Sequence, residues 1–149
     1  MAQTRLEERP RLDVTRHYPV APEKVWHAWT DPQALSHWFG PSETELVTRA
    51  QLDVRPGGRY HIAFRTSDGQ VHDVSGEYQE VTPHRRLSFT WAWKSTPERV
   101  SFVSIELTAT AHGCEMRFVH ERFFDEQARI NHERGWTGTF AKLDAFLRA

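Results

Sequence analysis

Apolar and polar residues alternate through the middle of the chain with a period of two. Leu87, Phe89, Trp91 and Trp93 alternate with Ser88, Thr90, Ala92 and Lys94. Val103, Ile105 and Leu107 share one side of the next run, and Met116, Phe118 and His120 oppose Glu115, Arg117 and Glu121 in the last. This pattern predicts half-buried strands. Turn residues punctuate them at the spacing of an antiparallel meander. Pro56-Gly57-Gly58 separates Glu45 to Val54 from Arg59 to Arg65, and Ser67-Asp68-Gly69 precedes Val71 to Val81. Thr82-Pro83-His84 and Ala111-His112-Gly113 mark the later turns. The period then changes. From Asp125 to Arg148 the chain reads as one amphipathic helix, with His132, Trp136, Phe140, Leu143 and Leu147 at spacings of four, four, three and four. Gly135 and Gly138 flank Trp136, and close backbone packing or a local bend is the expected reason for two glycines in a helix interior.

The amino-terminal third adds a strand and two short helices. Leu12, Val14 and Arg16 to Tyr18 predict the first strand. Pro22 suits the first turn of a helix running over Glu23 to Trp29. Asp31 then caps a second helix that starts at Pro32 and runs to about Phe39, before Gly40-Pro41. The class is therefore α+β: an antiparallel sheet of six to seven strands with one apolar face, covered by the only helix long enough to do so. A chain of 149 residues without repeats or low-complexity linkers is expected to form one domain, preceded by a flexible lead-in over residues 1–10.

Composition narrows the function. Nineteen basic and twenty acidic residues leave a net charge of -1, which provides no field for nucleic acid or an anionic membrane surface. No apolar run approaches the length of a bilayer span, and a single cysteine cannot form an internal disulfide, so a cytoplasmic protein is expected. No two of the nine histidines are closer than eight residues, so no local pair of metal ligands exists. Pro56-Gly57-Gly58 lacks the lysine and hydroxyl residue of a phosphate-binding loop. Neither a metal nor another cofactor is expected. Six tryptophans, nine phenylalanines and three tyrosines make the apolar material bulky and flat, suited either to a solid core or to facing a ligand.

Several segments carry a family resemblance. Tyr18-Pro19-Val20-Ala21-Pro22-Glu23-Lys24-Val25-Trp26 with Trp29-Thr30-Asp31-Pro32, and Leu35-Ser36-His37-Trp38-Phe39-Gly40-Pro41, resemble the opening of the family named for the activator of heat-shock-protein-90 ATPase. Pro56-Gly57-Gly58-Arg59-Tyr60, Gly76-Glu77-Tyr78-Gln79-Glu80-Val81 with Pro83 and Arg86-Leu87, and His132-Glu133-Arg134-Gly135-Trp136 are similar to its later segments. Together they span about Arg11 to Leu147. The resemblance implies the helix-grip fold of birch-pollen-type allergens, lipid-transfer domains and polyketide aromatase/cyclases: a curved antiparallel sheet wrapped around a long carboxy-terminal helix, with a cavity between.

The fold implied by that resemblance hosts carriers, enzymes and chaperone modulators. The leading expectation is binding of a small hydrophobic or aromatic molecule between sheet and helix. Its candidate lining is Trp38 and Phe39 near the mouth, Tyr60, Ile62, Phe64, Tyr78, Phe89, Trp91, Phe118 and His120 on the sheet, and His132, Trp136 and Phe140 on the helix. The same alternating faces also suit a solid core. An enzyme would draw on His120 or His132, since imidazole serves as acid or base near neutral pH; the competing role for each is a buried histidine satisfied by a neighbour. By resemblance to aromatase/cyclases, Tyr60 and Tyr78 are candidates to polarise a carbonyl. Cys114 reads most simply as a small buried hydrophobe. A chaperone partner is the third reading; in the eukaryotic activators a further amino-terminal domain and linker come first, whereas this chain begins about ten residues before its first strand. Trp26 and Trp93 either support a homodimer or pack against their own chain; a monomer and a homodimer both remain open.

Overall fold

The strands lie in the order β1-β7-β6-β5-β4-β3-β2, all antiparallel, so the first two strands of the chain occupy opposite edges of one seven-stranded sheet. The computed structural model describes residues 9–41 and 44–149. Most of the lead-in expected over residues 1–10 lies outside them. The elements are β1 (Leu12–Tyr18), α1 (Pro22–Thr30), α2 (Pro32–Leu35), β2 (Thr44–Leu52), β3 (Arg59–Thr66), β4 (Val71–Thr82), β5 (Arg86–Trp93), β6 (Ser101–Thr110), β7 (Gly113–Glu121) and α3 (Glu126–Arg148). This is the helix-grip arrangement, with α3 as the long helix and α1 and α2 between β1 and β2.

Turn chemistry sets the strand pairing. Gly57 and Gly69 adopt positive φ in the turns after β2 and β3, the region that glycine enters without steric cost. The β4-β5 turn instead places His84 at φ 67. Register shifts in β2 and between Tyr78 and Glu80 in β4 bend these strands, as an extra residue on one side of a ladder must. Gly76 sits where β4 meets β5 most tightly. A Cβ there would lie 1.9 Å from the Thr90 carbonyl oxygen and 2.7 Å from the Tyr60 ring.

Two expectations need correction. The second helix is a single turn. Asp31 caps it by accepting from the Gln33 amide, but after Leu35 the backbone turns so that Trp38 and Phe39 donate to the Leu35 carbonyl. Trp38 is drawn under α1, where its indole donates to the Ala28 carbonyl at 3.1 Å. Close packing at Gly135 is likewise absent, since a Cβ there would meet nothing within 4 Å. The α3 expectation holds to one residue: Asp125 caps the helix through the Ala128 amide, and Trp136, Phe140, Leu143 and Leu147 are buried with Thr139.

Candidate functional site

The core beneath the helices is largely aromatic and divides into two parts. In the first, Trp136 of α3 is the hub: its ring lies 4.6 Å from Phe118, 5.1 Å from Trp91, 5.4 Å from Phe140 and 6.1 Å from Trp29 between centroids. These rings meet flush in tilted, edge or stacked contacts, the geometries their quadrupoles favour. In the second part the layers separate. A cavity opens between α1 and α2 on one side and β2 to β5 on the other, lined by Trp29, Leu35, Phe39, Leu52, Tyr60, Ile62, Tyr78, Leu87, Phe89 and Trp91. The empty space is about 290 Å³, part of it open to solvent, but the centre of a water molecule fits in only about 10 Å³. That is room for about one water.

The cavity is therefore displaced from its expected place. No residue of α3 lines it, because Trp136 and Phe140 pack directly against the sheet and Trp29. Of the sequence candidates, Phe39, Tyr60, Ile62, Tyr78, Phe89 and Trp91 face it. Trp38 is fully buried and tied to α1, and Phe64 packs against Phe39, His72 and Trp93. Phe118, Trp136 and Phe140 belong to the flush part, and His120 and His132 lie beyond Trp91. Four wall residues escaped the sequence reading: Trp29, Leu35, Leu52 and Leu87. Trp29 was recoverable, because it follows Val25 by four and Ala28 by one on the buried side of α1.

Among the described residues no charged side chain lines the cavity, and its polar groups are few. The Tyr60 hydroxyl donates to the Thr90 carbonyl at 2.6 Å, the close approach that Gly76 permits. Burial pushes the Tyr60 and Tyr78 hydroxyls well above the usual phenol range, so both stay protonated. The indole N–H groups of Trp29 and Trp91 are buried without an acceptor among the described residues.

The two histidines sit in two separate chains of hydrogen bonds, and their rings meet edge to face. An indole N–H only donates, so Trp136, at 3.1 Å from His120 Nδ1, leaves that nitrogen as the acceptor. His120 Nε2 then carries the proton and donates to Ser101 Oγ at 2.7 Å, and Ser101 donates on to the Trp91 carbonyl. By the same logic Trp93 donates to His132 Nε2 at 2.9 Å, and His132 Nδ1 donates to the Ala128 carbonyl at 2.7 Å. Trp93 and Trp26 both make contacts within their own chain, the first through its N–H to His132 and the second edge-on against His84. Burial holds His120 well below the ordinary imidazole range, with His132, 5.1 Å away between ring centroids, adding to the effect. His132 is also lowered by burial, partly offset by its bond to Ala128. Both rings are neutral at pH 7. Cys114 is buried, and that burial raises its thiol above the usual range, which opposes thiolate formation. Among the described residues no group of three or more His, Cys, Asp or Glu side chains is placed to hold a metal, and no helix is long and apolar enough to cross a membrane.

The fold and its aromatic interior define a helix-grip α+β protein. The family model described as activator of Hsp90 ATPase homolog 1-like protein matches residues 19–148, and the chain belongs to that family. Solved structures agree. A protein from Chromobacterium violaceum is 26% identical with a TM-score of 0.85, covering 93% of this chain and 98% of its own. The AHSA1 protein from Silicibacter pomeroyi is 28% identical with a TM-score of 0.84, over 93% of this chain and 98% of its own. An AHSA1-like protein from Aeromonas hydrophila, at 20% identity and a TM-score of 0.78 over 93% of this chain and 92% of its own, shares the fold. Comparison with curated proteins returned no match.

Proposed function

We propose that this chain binds a small hydrophobic or aromatic molecule in the cavity between α1–α2 and strands β2 to β5. The observation that carries the reading is the wall itself: among the described residues six aromatic and four aliphatic side chains enclose it, with Phe39 at the exit of α2 and no charge. Apolar walls with a few placed polar groups suit such ligands. In the described conformation the space is nearly filled, so binding requires the α2 segment to withdraw Leu35 and Phe39 from the wall.

A catalytic role for His120 or His132 has less support, because every ring nitrogen already has a partner and each reaction would first have to break a bond to Trp136, Ser101, Trp93 or the Ala128 carbonyl. A chaperone role draws only on the family's description. Thermal unfolding with a panel of two-ring and three-ring aromatic compounds tests the binding reading, since a ligand specific to the folded state raises the melting temperature in a saturable way. Native mass spectrometry of freshly purified protein adds a search for a retained molecule. If no compound shifts the transition and no molecule is retained, the reading is wrong.

A further inference from the structure

We infer that the preferred ligand is a neutral, flat molecule whose polar groups are hydrogen-bond acceptors, carbonyl oxygens above all, and that the indole N–H groups of Trp29 and Trp91 receive them. The inference rests on the cavity reading above and adds the chemistry of the ligand. Three interior tryptophans have their N–H engaged: Trp38 by the Ala28 carbonyl, Trp93 by His132 and Trp136 by His120. None of these three lines the cavity. Trp29 and Trp91 do line it, are 3% and 4% exposed, and have no acceptor among the described residues. The division follows the cavity wall.

Burying a donor without a partner costs stability, and interiors rarely leave one so. Indole N–H donates and cannot accept, so its complement is an acceptor. A carbonyl oxygen accepts and brings no hydrogen needing a further partner. The Tyr60 hydroxyl hydrogen is already committed to Thr90. Charge decides between a ketone or lactone and a carboxylate: no cationic side chain lines the wall, and an uncompensated buried charge is strongly disfavoured. Flatness follows from the wall's composition, since six of its ten residues are aromatic and ring surfaces favour planar partners. The other buried groups without a partner, the hydroxyls of Tyr18 and Thr44, belong to residues outside the wall.

The test uses three probes of similar outline: coumarin, which carries a lactone; naphthalene, which has no polar atom; and 1-naphthoate, which is anionic. Affinities are measured by titrating the isotope-labelled full chain, with the tryptophan side-chain N–H signals assigned through the backbone. Coumarin is expected to bind about tenfold tighter than naphthalene, the ratio that about 1.4 kcal/mol gives, and tighter than 1-naphthoate. It should move the Trp29 and Trp91 indole signals downfield and those of Trp38, Trp93 and Trp136 little. In Trp29→Phe/Trp91→Phe the advantage over naphthalene should shrink to within about twofold. Equal binding of coumarin and naphthalene, or a preference for 1-naphthoate, overturns the inference while leaving the cavity reading intact. Binding of none of the three overturns both. If the double variant does not fold, the indole signals of the unmodified protein decide, and unmoved Trp29 and Trp91 signals in a coumarin complex reject the assignment.

Discussion

Gly76 and Gly135 stand at opposite extremes of crowding. At Gly76 the hydrogen in place of a methyl lets the Thr90 carbonyl and the Tyr60 ring approach, whereas Gly135 faces open space. Glycine in a helix interior costs roughly 1 kcal/mol relative to alanine. Gly135→Ala should therefore stabilise the protein by about 1 kcal/mol in a urea titration, and a loss of stability would mean that the helix needs glycine there. The buried histidines add a second residue-level consequence. Both are held below their ordinary pKa, so the unfolded chain takes up their protons first as pH falls below about 6.5. Stability is complete above that pH and declines on acidification. Denaturant titrations between pH 7.5 and 5 should record the decline, with a shallower slope in His120→Gln; an unchanged slope would remove His120 from the explanation.

Among the elements, α3 was legible because four apolar positions and His132 share one helical spacing that admits no other period, and its cap at Asp125 is a local signal. The end of α2 was not. His37, Trp38 and Phe39 continue a helical pattern well enough, and what overrides it is a tertiary contact, the Trp38 indole reaching the Ala28 carbonyl, followed by Gly40 at φ 99. The segment is then held from the other side by Lys142 of α3, whose ammonium donates to the carbonyls of Pro41 at 3.0 Å and Phe39 at 3.5 Å. Lys142 thus ties the long helix to a residue of the cavity wall. Lys142→Met retains the apolar stem and removes the donors. Hydrogen exchange of the amides over residues 35–41 should quicken by roughly fivefold to tenfold, the effect of losing a hydrogen bond of about 1 kcal/mol in a local opening. Unaltered exchange there would show that other contacts hold the segment.

On the scale of the whole molecule, strand alternation and the family segments carried the architecture, because which face of a strand is apolar is written in every second residue. Where the two apolar layers touch and where they part is not written that way. Phe118 and Phe89 both face inward from their strands, yet the first is sealed under Trp136 and the second borders the cavity. That difference depends on the seat of α3 and on the bends in β2 and β4, which no single segment encodes. The spacing within α1 marks Trp29 as an inward residue, but its place in the cavity wall comes from α1 lying over strands far from it in sequence.

The strand order also governs how this chain reaches its native state. β1 pairs only with β7, and His17 meets Glu115 across that ladder 98 residues later. A nascent chain has therefore made β1 long before that strand has any place to go, and α3, which caps the core, leaves the ribosome only after all seven strands. Such long-range pairings place refolding in the millisecond-to-second range rather than the microsecond range of helical bundles. Until α3 arrives, the apolar face of the meander lacks its long covering helix, and the partly made chain is the form most in need of protection from its neighbours.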